Sequence, residues 1–122
     1  MNDTVRFVGK DVGTAAWSTE KVATGAIYEH DGRLNMAIIK KISGWKDLYP
    51  AFALCDALNT GSVTGWYLPA INEIYAIRIG YDLNGNHWSS TEYRENNAYY
   101  YGNNSSIDYK TNKYKVKAVH RF

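Results

Sequence analysis

The groups in this chain that could carry reaction chemistry are one cysteine, three histidines and a scatter of carboxylates. Their spacing argues against most such chemistry. Cys55 lies among Ala53, Leu54, Ala57 and Leu58, the setting of a small buried hydrophobe in a helix. A lone cysteine can form neither an internal disulfide nor a thiolate zinc site. Glu73 and Glu92 are the acids nearest the apolar positions Trp66, Leu68 and Trp88. Neither has a histidine or a second carboxylate at the spacing of an acid/base pair. Glu73 reads as a cap on its own helix and Glu92 as a surface residue. His87, directly before Trp88, reads as a satisfied structural histidine, and His30, beside a turn, as an exposed residue with no role. No Gly-rich phosphate loop or G-x-S-x-G motif occurs. The expectation is a non-enzyme, with no catalytic residue, no metal and no cofactor.

Recognition is the chemistry these residue types do suit. Between His87 and Phe122 lies a segment rich in Tyr, Asn and Ser and almost free of aliphatic residues. Tyr offers a large amphipathic area for two side-chain torsions, while Asn and Ser offer adaptable hydrogen bonding, as in antibody contact surfaces. The candidate ligand-binding residues are Tyr93, Arg94, Asn97, Tyr100, Asn103, Asn104, Asp108, Tyr109, Asn112 and Tyr114. An Arg beside tyrosines is a frequent hot-spot combination.

Several elements must position that segment. Residues 4–9 alternate and read as a first strand, followed by a loop over 11–20 that contains Trp17, a residue large enough to be an anchor. Asp31-Gly32, between apolar runs ending at Tyr28 and starting at Leu34, reads as a hairpin turn. Leu48, Phe52, Cys55 and Leu58 predict a first helix over 46–59, with Pro50 in its first turn. A second helix is expected over 70–79, with Ile71, Ile74, Tyr75 and Ile77 on its apolar side. Ala70 stands where a Ser or Thr would complete a capping box with Glu73, so Ala70→Ser is expected to stabilise by about 1 kcal/mol. Residues 82–86 form a turn. Val116 and Ala118 then alternate with Lys115 and Lys117 in a last strand. Trp66, Leu68 and Trp88 are expected to fill the core between the second helix and the sheet. Pairing Val5–Val8 with Val116–Val119 would bring the ends together.

A chain of 122 residues with 45% hydrophobic and 21% charged content is expected to form one α+β domain spanning 1–122. A net charge of +2 is too small to suggest nucleic acid. Lys110, Lys113, Lys115 and Lys117 read as a solvated strand face. No apolar run reaches membrane length, so no membrane insertion is expected, and no signal peptide is read in this chain.

Four ordered pieces, GWYLPAINEI, HWSSTEY, NAYYYG and YKVKAVHRF, resemble the C-type-lectin-like domains at the C-termini of collagen-like adhesins and many gut-bacterial surface proteins. The likeness runs over 23–122 and departs from that family at Ala70, Tyr99, Lys117 and His120. It implies a C-type-lectin-like fold with two helices, twisted antiparallel sheets and paired N- and C-terminal strands. It also implies a place on a cell surface, outside the cell or on a phage particle, and a protein or glycan ligand on a cell surface as partner. The calcium-dependent carbohydrate triplets of that fold are missing, and so is the cysteine pair of the related formylglycine-generating enzymes. A narrower resemblance is to variable proteins of diversity-generating retroelements, in which mutagenised Asn codons yield Tyr, Ser and Asp. If Tyr99 replaces the family's buried Trp, Tyr99 and Tyr101 face inward and Tyr100 faces the ligand. The other function class the sequence leaves open is a structural or subunit-assembly module with no ligand of its own.

Overall fold

Alternating patterns become strands wherever one side of the chain is apolar, and the C-terminal third of this chain shows that clearly. The computed structural model describes residues 7–80 and 85–121, with the side-chain surroundings of residues 77–80 left aside. Strand β1 (Phe7–Ala16) pairs antiparallel with β6 (Lys113–Arg121). Strands β3 (His87–Glu92), β4 (Asn97–Tyr101) and β5 (Ser105–Tyr109) extend the sheet in the order β1-β6-β3-β4-β5, with β3 parallel to β6 where only antiparallel pairs were expected, while the two-residue β2 (Trp66–Tyr67) adds to β6. Helices α1 (Gly32–Lys40), α2 (Trp45–Leu48), α3 (Pro50–Asp56) and α4 (Ile71–Gly80) complete a mixed α+β architecture. The expected strand pair near the two ends is present. Val5, Ile77 and residues 82–84, which carried parts of the sequence reading, lie outside the described side chains.

Several local expectations need correction. The terminal pair is offset: Gly9 faces Val119 and Gly13 faces Val116. The segment read as a loop from Asp11 instead continues β1 to Ala16, across a bulge between Asp11 and Gly13. Gly13 adopts φ 122°, a conformation that lets the strand absorb the extra residue.

Asp31-Gly32 does not turn a hairpin. The Asp31 carboxylate caps α1 by accepting from the Arg33 amide at 3.0 Å, and Gly32, Asn35, Met36 and Ile39 form the buried helical stripe. Gly32 is needed for close approach, because a Cβ there would overlap the Leu68 carbonyl and lie 2.8 Å from the Ala70 nitrogen.

The helix expected over 46–59 is broken at Tyr49 (φ −126°, ψ 74°), since the residue before a proline is pushed out of the helical region. Pro50 then opens α3 at its first position. The described residues thus hold four helices rather than two.

The last correction concerns what packs where. Trp17 meets Tyr49 and Phe52 edge-on, with ring centroids 6.0 and 5.0 Å away, in the main core beneath α1 and α3. Leu68 and Trp88 belong to this core, with Trp66 at its margin. The space beside α4 is filled instead by Ile71, Ile74 and Tyr101, with Tyr99 packed against them. Nor does Ala70 leave a donor waiting for a serine. The Ile71 amide donates to Thr91 Oγ1 at 3.0 Å, that of Asn72 to the Glu29 carbonyl at 2.9 Å and that of Glu73 to the Ala70 carbonyl at 3.0 Å. Ala70 is fully buried, so the reason to expect a gain from Ser is gone.

His87 is buried opposite Tyr101, as a structural histidine should be, with Nδ1 3.1 Å from the Gly85 carbonyl. Burial lowers its pKa, and the nearby Lys115 and Lys117 add to this, against the Gly85 carbonyl and Asp11. Below the unfolded value the unfolded chain therefore binds more protons, and stability falls as pH drops. The melting temperature is expected to decline as pH falls below about 6.5 and before carboxylates titrate. His87→Gln should flatten that part of the profile, as thermal melts across pH would show.

Candidate functional site

Every residue of β3 is buried, including its polar ones, so each polar group must find a partner inside the protein. Ser89 Oγ donates to the Tyr99 carbonyl at 2.7 Å and accepts from the Thr91 amide at 3.1 Å. Ser90 Oγ accepts from Asn35 Nδ2 at 2.9 Å, and Asn35 in turn holds both the amide and the carbonyl of Tyr28. Thr91 Oγ1 donates to that same carbonyl at 2.9 Å. The Trp-Ser-Ser-Thr stretch thus links α1, the 26–28 segment and the start of α4 to the sheet. The neighbouring indoles are held likewise: Trp17 Nε1 donates to the Ser89 carbonyl at 2.8 Å, and Trp88 Nε1 to those of Ala15 and Asn112 at 3.1 and 3.2 Å.

The two acids singled out for possible catalysis are both saturated with donors. Glu73 accepts from the Gly32 amide at 2.7 Å, the Ala70 amide at 3.0 Å and the Tyr67 hydroxyl at 2.7 Å. It does cap its own helix, and it also fastens α1 to α4. Burial and this acceptor raise the Tyr67 pKa.

Glu92, read from sequence as a surface residue, is buried. It pairs with Lys110 at 2.5 Å, and their side chains are 4% and 0% exposed. Its oxygens also accept from the Thr24 amide at 2.8 Å, the Thr24 hydroxyl at 3.1 Å and the Gly25 amide at 3.1 Å. Lys110, assigned to a solvated face, donates in addition to the Val22 carbonyl at 2.8 Å and sits 4.6 Å from the centre of the Trp17 ring. Burial pulls its pKa below the lysine range, with Glu92 opposing. Lys113 and Lys115 are exposed as expected, and Lys117 is half-buried.

Burial raises the pKa of the Cys55 thiol, which is fully enclosed, so it offers no thiolate nucleophile. No cluster of three or more His, Cys, Asp or Glu side chains suited to a metal occurs among the described residues.

The structure sets some of the ten candidate contact residues on opposite faces of the β4–β5 hairpin and the rest in its turn, in the turns before and after it and on β6. Residues directly opposite in an antiparallel pair share a face, and the register matches Asn97 with Tyr109, Ala98 with Asp108, Tyr99 with Ile107 and Tyr100 with Ser106. One face carries Tyr100, Asp108 and Tyr114 against Trp88. The Tyr100 and Tyr114 rings lie 4.7 Å apart, and Tyr114 is 4.9 Å from Trp88. The Tyr114 hydroxyl donates to Asp108. Partial burial works to raise the Asp108 pKa, but hydrogen bonds from Tyr114, Asn112 and the Tyr109 amide hold it below the usual carboxylate value. Tyr100 is half-buried in this cluster, where the resemblance had it pointing outward, while Tyr101 faces inward as expected.

The other face carries Asn97, Tyr109 and Tyr93, with Arg94 stacked 4.9 Å from the centre of the Tyr93 ring. Tyr93 meets Tyr99 edge-on at 5.5 Å, and Lys21 Nζ lies 4.5 Å from the centre of the Tyr109 ring. On this face Tyr93 is 41% exposed, Ile107 39% and Tyr109 51%, and Tyr75 of α4, 59% exposed, meets Tyr101 edge-on at 5.9 Å. Asn103 and Asn104 are exposed at the β4–β5 turn. Sequence reasoning put Tyr75 on the apolar side of its helix, where it is in fact exposed, and missed Ile107 and Lys21. Cross-strand register alone brings Ile107 beside Tyr99, and only a fold places a residue from the 17–31 segment over β5.

The chain matches no protein-family profile and no curated protein. Its fold is similar to part of a solved fimbrial protein from Bacteroides ovatus, with a TM-score of 0.59 and 18% identity. The likeness covers 97% of this chain but 35% of that protein. At this identity it establishes a shared fold. None of the described helices is long and apolar enough to cross a membrane.

Removing Lys110 alone would leave Glu92 buried without its cation. Lys110→Met is expected to destabilise by about 3–5 kcal/mol in urea unfolding. Lys110→Met/Glu92→Gln should cost clearly less than the two single variants summed. A Lys110→Met cost within about 0.5 kcal/mol, typical of a surface change, would contradict the buried pairing.

Proposed function

We propose that this chain is a non-enzymatic recognition module of a bacterial surface or phage protein, binding a protein or glycan through the outer side of the β4–β5 hairpin. The observation that carries this reading is the exposed Tyr93, Ile107 and Tyr109 on one hairpin face, flanked by Arg94 and Lys21, with exposed Tyr75 joined to that face through Tyr101. Aromatic groups with Arg at their edge are what contact surfaces concentrate, because they supply area at low entropic cost. Asn97, Asn103 and Asn104 extend that side with hydrogen-bonding groups. Tyr100, Asp108, Asn112 and Tyr114 serve the same surface from beneath, by stiffening the hairpin. The fimbrial neighbour agrees with a cell-surface setting.

The frame is C-type-lectin-like, on the four sequence pieces that resemble that family. The Tyr/Asn/Ser mixture between Tyr93 and Tyr114 further suits a segment diversified by a retroelement. A near-copy of the encoding DNA beside a reverse transcriptase, differing chiefly at adenines, would bear that out. The alternative, an assembly module, draws on the same neighbour, since β5 lies at a sheet edge where another chain could add.

Labelled protein on a glycan array and on panels of bacterial and mammalian cells tests the reading. Tyr93→Ala and Tyr109→Ala should each weaken binding by about tenfold with little change in melting temperature. Tyr100→Ala should instead lower the melting temperature. If Tyr93→Ala and Tyr109→Ala bind as the parent does, the assigned surface is wrong.

A further inference from the structure

Away from the hairpin, a groove of about 240 Å³ opens between α1 and β2. One wall is a single stripe of α1: Arg33, Met36, Ala37 and Lys40, at helical spacings of three and four. The other is formed by Trp66 and Gly65. Asn59 fixes that wall, donating to the Trp66 carbonyl and accepting from its amide, both at 2.9 Å. His120 meets the Trp66 ring edge-on at 5.6 Å, and its Nε2 would lie 2.7 Å from any Cβ placed on Gly65. The wall is therefore preformed. Seven residues of helix separate Arg33 from Lys40, a rise of roughly 10 Å, which sets the two basic groups at opposite ends of the groove.

Neither cation is free. Arg33 makes a two-pronged bond to Asp31, at 2.9 and 2.7 Å, and Lys40 pairs with Asp56 at 2.7 Å. Their charges are neutralised by these carboxylates, yet each keeps further N–H donors, since a guanidinium has five and an ammonium three. An anion entering here would have to compete with two carboxylates already in place. A neutral ligand with several oxygen acceptors would not. The volume lies below the roughly 300–1,000 Å³ of pockets for drug-sized ligands and suits a single ring. The Trp66 indole facing Met36 and Ala37 across the groove matches the C–H faces of such a ring.

We propose that this groove binds one neutral sugar residue, its hydroxyls taking hydrogen bonds from Arg33 and Lys40 and its apolar face lying against Trp66. The site shares no residue with the hairpin surface and stands independently of it.

The test is a titration of the ¹⁵N-labelled chain with the methyl glycosides of glucose, galactose, mannose and N-acetylglucosamine, followed by amide and indole correlation spectra. At least one glycoside should shift the Trp66 indole and the Ala37 and Gly65 amides saturably at millimolar concentration, with little effect of added salt. Arg33→Ala and Lys40→Ala, both exposed positions, should each weaken that binding by about fivefold, whereas Tyr109→Ala should leave it unchanged. The proposal is overturned by unmoved signals up to about 100 mM of every glycoside. It is equally overturned if glucuronate or acetate alone shifts them and salt abolishes the shift, or if the Arg33 and Lys40 variants titrate like the parent.

Discussion

A buried lysine and glutamate, almost closed off from water, tie the 17–31 segment of this chain to the sheet. Taking two charges out of solvent costs several kcal/mol each, so the Lys110–Glu92 pair persists only because both members are fully engaged. Glu92 collects the amides of Thr24 and Gly25, and Lys110 takes the Val22 carbonyl and lies over Trp17. The 17–31 segment is therefore fastened at once to the end of β3 and to the turn between β5 and β6. That turn sets where β5 lies, and β5 carries Ile107 and Tyr109. The exposed aromatic row thus depends on a buried ion pair whose members adjoin Tyr93 and Tyr109 in the chain.

Glu73 repeats the device where α1 meets α4. One carboxylate satisfies the first amide of α1, the amide preceding α4 and the Tyr67 hydroxyl. Because Gly32 lies against the Leu68 carbonyl, α1 sits close enough to the 67–70 segment for a single side chain to serve three donors. The same closeness leaves the groove between α1 and β2 narrow. Between the two carboxylates runs the Ser89-Ser90-Thr91 stretch, whose hydroxyls replace backbone partners where loops meet the strand. Polar groups thus organise the interior of this protein as much as its aromatic core does. The chemistry they could have performed is spent on structure.

Much of the frame was legible. The alternation of Val116 and Ala118 places β6, the apolar spacing of Ile71 and Ile74 places α4, and the sizes of Trp17 and Trp88 mark them as interior. Errors fell where two local rules compete for one pair of residues. Asp31-Gly32 satisfies the chemistry of both a hairpin turn and a helix start, and what decides is the space available beside Leu68. Pro50 suits the first turn of a helix, but it also forces Tyr49 out of helical geometry, so one expected helix became two. Among the ten candidate contact residues, composition alone could not say which tyrosines face out, because a strand with rings on both faces carries no marker of its own direction.

The sequence by itself determined the mixed α+β class, the antiparallel run of β3, β4 and β5, the pairing of the first and last described strands and the concentration of Tyr and Asn in one segment, but not the parallel contact of β3 with β6. These follow from residue type and short-range period, which are local properties of the chain. Tertiary structure alone decided that Glu92 and Lys110 are interior, that Tyr100 supports while Tyr93 and Tyr109 are displayed, and that Tyr75 and Lys21 join them. The physical reason is common to all of these. Whether a polar or amphipathic side chain is buried depends on a partner brought from far along the chain, and no local pattern records that partner.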